Sequence, residues 1–207
     1  MDRKKAIRDH YEPRIAPGKA SYEILDWSDA VSQQARFHVL VEDVDLVGKT
    51  LLDVGCGLGD LWAFLKDRGI GVDYTGVDIL EKMVALARSR HPEARFQCAD
   101  VFSEDPFGAR RFDVVFCSGT FNLDLGNSRE FLAKALARLF GLARQLLVFN
   151  LLHARTKDKF EHCVYYDPAE VLPMLRKLPC HVRLVEDYLP NDFTVICKVD
   201  PPGQSGP

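Results

Sequence analysis

The sequence lacks any apolar run near the roughly 20 residues that a membrane-crossing helix needs, so no span is read from it and no membrane partner is expected. Its first residues, among them Arg3, Lys4 and Lys5, lead into polar residues without the apolar stretch of a secretory leader, and a cytoplasmic protein is expected. An excess of either charge is also missing: 27 Lys and Arg stand against 30 Asp and Glu, a formal charge of −3. That balance excludes the broad basic footprint with which non-specific nucleic-acid binders displace counterions. No C-x-x-C pair occurs among Cys56, Cys98, Cys117, Cys163, Cys180 and Cys197, and most lie inside apolar runs, as buried thiols of a reducing compartment do. The six histidines are scattered singly, which leaves no cluster at zinc-ligand spacing and no expected metal site. Internal repeats and low-complexity segments are absent too. What is present is a chain of 207 residues, 47% hydrophobic and 28% charged, long enough to bury one core and expected to form one globular domain.

Three parts are expected along it: an N-terminal arm and lid helices over 1–48, a main domain over 49–199, and a disordered tail over 200–207. Tyr11 to Lys19, with Pro13, Pro17 and Gly18, reads as a loop or mobile arm. Ala30, Gln34, Phe37, Val41 and Val44 then fall at helical spacing, with Ser28 as the cap and Gly48 as the end. From Thr50 onward strands and helices alternate, the pattern of a parallel sheet covered on both faces. Strands are predicted at Thr50–Val54, Tyr74–Asp78, Ala94–Cys98, Arg111–Cys117 and Gln145–Leu151, with helices at Asp60–Asp67, Glu81–Ser89 and Phe131–Phe140 between them. Gly141 is the expected stop of the last of these, and Asp167-Pro168 starts another. Val182–Tyr188 and Phe193–Val199 read as a closing antiparallel hairpin.

The chemistry is concentrated where the first strand ends. Asp53-Val54-Gly55-Cys56-Gly57-Leu58-Gly59-Asp60 turns a buried strand into a helix through glycines at alternate positions, which lets backbone approach a ligand. A dinucleotide site requires G-x-G-x-x-G with a pyrophosphate on the helix N-terminus; counted from Gly55, the third position is Asp60, an acid that repels phosphate. The spacing therefore disfavours an NAD-dependent oxidoreductase. Asp78, at the end of the second strand, can accept from both hydroxyls of a ribose. Asp100, after the third, can accept from an exocyclic amine, and the adjoining Val101 N–H can donate to a ring nitrogen.

These stretches, taken as Asp53 to Gly59, Gly76-Val77-Asp78, Cys98-Ala99-Asp100-Val101 and Phe112 to Ser118, resemble the ordered motif set of the class I S-adenosylmethionine-dependent methyltransferases. The resemblance covers Lys49 to Val199 and implies an α/β fold: a doubly wound, mostly parallel seven-stranded sheet of order 3-2-1-4-5-7-6 with a C-terminal antiparallel hairpin, here under an N-terminal helical lid. It implies S-adenosylmethionine as cofactor and S-adenosylhomocysteine as product. Gly55, Gly57 and Gly59, with Cys56 as a small filler between them, would underlie the methionine part, and Asp53 would position its amino group. Asp78 would hold the ribose, Ile79 and Met83 would pack near the adenine, and Asp100 and Val101 would read its edge. Ser118, Gly119 and Thr120 would line the passage to the acceptor. Ser118-Gly119-Thr120-Phe121 departs from the Asn-Pro-Pro-Tyr of relatives that methylate adenine or glutamine amides, which argues against those acceptors.

Methyl transfer needs an aligned nucleophile and a dry site more than it needs a catalytic side chain. Candidates for a base are His153, His162, Tyr165 and Tyr166, in or near the segment after the fifth strand. Arg36 and Gln34 reach the cofactor carboxylate or an acidic substrate if their helix closes over the site, where Trp27 and Tyr22 can line a pocket. With no inserted module, the arm and the loop from His153 to Tyr166 must build most of the acceptor site, which favours a small molecule over nucleic acid. A protein or RNA methyltransferase and a non-catalytic nucleoside-binding protein are the competing readings. The atom methylated and the oligomeric state are left open.

Overall fold

In the computed structural model, which describes residues 2–201, the seven strands are β1 (Thr50–Val54), β2 (Asp73–Asp78), β3 (Arg95–Cys98), β4 (Phe112–Cys117), β5 (Ala143–Leu152), β6 (Cys180–Val185) and β7 (Asp192–Val199). They form one sheet of order β3-β2-β1-β4-β5-β7-β6, in which β7 runs antiparallel to both β5 and β6 and the other pairs are parallel. The helices are α1 (Arg3–Tyr11), α2 (Ser21–Ile24), α3 (Ala30–Asp43), α4 (Asp60–Asp67), α5 (Glu81–Arg90), α6 (Ser128–Leu142) and α7 (Pro168–Leu175). Because successive strand residues point to opposite faces, the near-continuous apolar strands feed two cores. Leu52, Val54, Val115, Cys117, Leu147 and Phe149 pack with α6 and α7 on one face; Leu51, Val114, Phe116 and Val148 pack with α3, α4 and α5 on the other.

Several boundaries differ from the sequence reading for physical reasons. Gly141 does not stop α6: Leu142 is buried in the same core as Leu132, Leu136 and Leu139, and that burial outweighs a glycine cost of about 1 kcal/mol. Asp29 rather than Ser28 caps α3, its carboxylate accepting from the Ser32 N–H at 2.6 Å, and the helix ends at Asp43. The buried stripe of α3 contains Gln33, Arg36, Phe37 and Leu40, while Gln34 faces solvent. Within the N-terminal arm, the Asp2 carboxylate caps α1 by accepting from the Lys5 N–H, and α1 carries no fully buried residue. The tail expected from residue 200 lies, from 202 on, outside the described residues.

One buried polar network ties α3 to the sheet. The Arg36 side chain, 2% exposed, donates through Nε to Asp192 Oδ2 at 3.0 Å, and Asp192 is fully buried. The Asn150 amide donates to Asp192 Oδ1 at 3.0 Å, Tyr188 donates its hydroxyl to the same carboxylate, and the Gly119 N–H donates to Asn150 Oδ1 at 3.3 Å. Removing one member of a buried pair leaves the other charge desolvated and unpaired, whereas exposed pairs contribute little. Arg36→Leu is therefore expected to lower the unfolding free energy by about 3 kcal/mol or more in urea titrations. Lys134→Ala, which breaks an exposed pair with Glu130, should change it by about 0.5 kcal/mol or less.

Candidate active site

Parallel strands bring the carboxyl ends of β1, β2, β3 and β4 to one edge of the sheet, and a cleft lies along it. The turn after β1 is held down by the Gly55 and Cys56 N–H groups, which both donate to the Val77 carbonyl at 2.8 and 3.1 Å. Gly55 and Gly57 have φ values of 76° and 53°, a region that side chains other than glycine's enter only with strain. A Cβ on Gly55 would also sit 2.2 Å from Thr120 Oγ1, so the turn and the segment after β4 pack without room for one.

Asp53, Gly55, Cys56, Gly57, Asp78, Ile79, Met83, Asp100, Val101 and Ser118 all line the cleft. Gly59 does not; it caps α4 from behind, where a Cβ would meet Phe96. The Asp78 carboxylate accepts the Gly57 N–H at 3.0 Å and the Leu80 N–H at 2.9 Å, which fixes its plane and leaves lone pairs for a ligand. Burial raises its pKa, against the pull of those backbone donors. Asp53 is pushed up to about 7, first by burial and then by the charges of Asp78 and Asp60, although the Tyr74 hydroxyl donates to it at 2.7 Å. Burial likewise drives the Cys56 thiol well up, so it is a small inert side chain. Beyond β4, Ser118 Oγ and Asn122 Oδ1 are buried on the cleft wall without a hydrogen-bond partner, as polar atoms awaiting a ligand are.

The roof comes from the arm. Arg3 of α1 reaches Asp100 at 3.4 Å with its guanidinium over the rings of Phe131 and Phe102. One α1 length away, His10 meets Asp26 at 2.9 Å. Trp27 lies against Gly119 and under the Arg36 guanidinium, 4.3 Å away. Arg36 does line the cleft, but its charge is committed to Asp192; Gln33, not Gln34, faces inward and donates to Asp60 at 2.8 Å.

The base candidates separate. His153 is buried outside the cleft, with Nδ1 accepting from the Arg155 N–H and Nε2 donating to Glu186, so neither nitrogen is free for a substrate proton. Tyr166 is buried in the core behind α6. Tyr165 and His162 line the cleft, the Tyr165 hydroxyl accepting the Phe160 N–H at 2.9 Å. His10 and Asp26 were not singled out from the sequence. They belong to no motif, and the fold of α1 and of the turn before α3 over the cleft brings them there.

Because Asp53 takes up a proton on folding, it costs stability progressively as pH rises from its unfolded value near 3.8 towards about 7. The expected result is that wild-type stability in urea falls relative to Asp53→Asn across that window and runs parallel to it above. Parallel curves throughout would mean that Asp53 titrates normally.

A profile for the family described as methyltransferase domain matches residues 51–142. A protein of Mycobacterium tuberculosis named as a methyltransferase is 32% identical over 156 residues, 70% of this chain and 90% of its own length. The trans-aconitate 2-methyltransferase of Delftia acidovorans is 37% identical over 71 residues, which are 34% of this chain and 26% of that protein. Among solved structures, the magnesium protoporphyrin IX methyltransferase of Synechocystis PCC 6803, with bound S-adenosylhomocysteine, shares the fold at a TM-score of 0.70 over 95% of this chain and 99% of that one, with 18% identity. With the methyltransferase-domain profile matched, 32% identity across 90% of that relative's length and the shared fold, the chain belongs to the class I S-adenosylmethionine-dependent methyltransferases.

Proposed function

We propose that the chain transfers the methyl group of S-adenosylmethionine to a small-molecule acceptor that enters beside His10, His162 and Tyr165. The observation that carries this reading is the enclosure. Helix α1 crosses the cleft from Asp100 to Asp26, above the unpartnered Ser118 and Asn122 oxygens. A polymer strand requires an open trough, whereas a covered pocket suits a compact acceptor. The name of the trans-aconitate relative is consistent with that class.

In this reading Asp78 accepts from the ribose hydroxyls. Asp100 and Val101 take the adenine edge, and Ile79 and Met83 give it apolar contact. Asp53 faces the ammonium of the methionine part over the Gly55-Cys56-Gly57 turn, with Gly59 setting the start of α4 behind it. The bound cofactor supplies a methyl group already activated on a sulfonium. Ser118 and Asn122 can then direct polar atoms of cofactor or acceptor, while Trp27, Phe160 and the arm exclude water. Tyr165 and His162 border the acceptor end; His153, with both nitrogens engaged, has no part in proton transfer.

Two hydrogen bonds to a carboxylate, each worth about 1.5–3 kcal/mol, make Asp78→Ala weaken S-adenosylhomocysteine binding about 100-fold or more by calorimetry. NAD should not bind to either form. Release of S-adenosylhomocysteine by the wild-type protein is expected with members of a panel of small carboxylates and phenols and not with bulk RNA or peptides. Turnover confined to RNA or peptides would overturn the small-acceptor reading.

A further inference from the structure

At the acceptor end of the cleft, side chains from three separate segments converge on one point. His10 comes from α1, Asp26 from the turn between α2 and α3, and His162 from the loop between β5 and α7; all three line the cleft. Nε2 of His10 and Nε2 of His162 lie 2.9 and 3.2 Å from the same oxygen, Asp26 Oδ2. The three potential ligand atoms all fall within 4.8 Å of one another, and no other group of three or more His, Cys, Asp or Glu side chains converges in this way among the described residues.

The two N···O separations, which are also hydrogen-bond distances, are those of neighbouring ligand atoms on one cation. Around a cation with bonds of about 2.1 Å, neighbouring ligand atoms lie about 3.0 Å apart in octahedral and about 3.4 Å apart in tetrahedral geometry. Both measured N···O distances fall within or close to that span; a modest inward movement of the two imidazoles completes the set. The Asp26 backbone has a φ of 61°, the left-handed region, and is the one non-glycine residue there among those described. Such a conformation costs about 1 kcal/mol or more and persists where surrounding contacts impose it. Here the Trp27 N–H bond to the Tyr22 carbonyl closes the turn that aims the carboxylate inward. The opposing feature is Arg14, whose guanidinium stands 3.4 Å from Asp26 Oδ2 and must yield that side of the carboxylate to a metal ion.

We propose that His10, Asp26 and His162 bind a divalent first-row transition cation of the zinc type through two imidazoles and one carboxylate. The remaining coordination positions face the cleft and accept water or an oxygen atom of the acceptor. Two nitrogens and one carboxylate oxygen suit Zn2+ or Co2+ better than Ca2+ or Mg2+, which prefer all-oxygen sites. The site stands on its own geometry; only its use in orienting the acceptor rests on the methyl-transfer reading above.

The test is calorimetric titration of the full chain with Zn2+, and absorption titration with Co2+ for its visible bands, each with and without S-adenosylhomocysteine. One equivalent is expected to bind. Asp26→Asn and His162→Ala should each weaken it by at least about ten-fold, Arg14→Gln should tighten it, and Cys163→Ser should leave it unchanged. Circular dichroism and S-adenosylhomocysteine affinity establish that each variant is folded. Absence of stoichiometric binding, or binding that survives both ligand substitutions or is lost with Cys163, overturns the site. Metal binding by a chain that fails to bind S-adenosylhomocysteine would keep the metal site and remove its role in acceptor orientation.

Discussion

Gly55 and Cys56 both donate to the carbonyl of Val77, and the cleft depends on that pair of bonds. They press the β1–α4 turn onto the end of β2, which places the Gly57 N–H against Asp78 and the face of Gly55 against Thr120. Chain following β1 must then leave in a left-handed conformation that glycine alone adopts without strain. A Cβ on Gly55 would collide with the Thr120 hydroxyl, so the turn and the segment after β4 approach this closely only with glycine there. Both sides of the cleft are thus set by one backbone contact at the middle of the sheet.

The second tier is polar and buried. Arg36 and Asp192 bind α3 to β7; through Asn150 the same carboxylate reaches the Gly119 N–H, and Trp27 closes on Gly119 from the arm side. Helix α3 is therefore fixed to the sheet rather than free to swing. Helix α1 packs through Ile7 and Tyr11 against the cluster of Ile24, Leu58, Leu80 and Met83, and its ends are tied by Arg3 on Asp100 and His10 on Asp26.

The sheet was legible because its evidence is local. Buried strands such as Phe112–Cys117 are unbroken apolar runs, their ends are punctuated by Gly or Asp, and the acids at Asp53, Asp78 and Asp100 sit where a parallel sheet exposes its ligand edge. Errors arose where tertiary packing overrode local chemistry: Gly141 stays helical because Leu142 is buried, and Asp29 took the cap from Ser28. The acceptor end was hardest to read. His153 stood at a strand end yet turns into a pocket made by Glu186 and Phe193, partners more than thirty residues away. His10, Asp26 and His162 are separated by 16 and 136 positions, so no motif joins them.

The central claim is that one cleft holds the nucleoside at the β2 and β3 ends and presents its sulfur toward Ser118, with the acceptor end under His10 and His162. A crystal structure of the full chain with S-adenosylhomocysteine tests it most directly. The account predicts ribose hydroxyls on Asp78, the adenine edge at Asp100 and Val101, and the sulfur facing the Ser118 and Asn122 oxygens. A nucleoside bound elsewhere, or one reversed so that its adenine lies beneath His10 and His162, would contradict it.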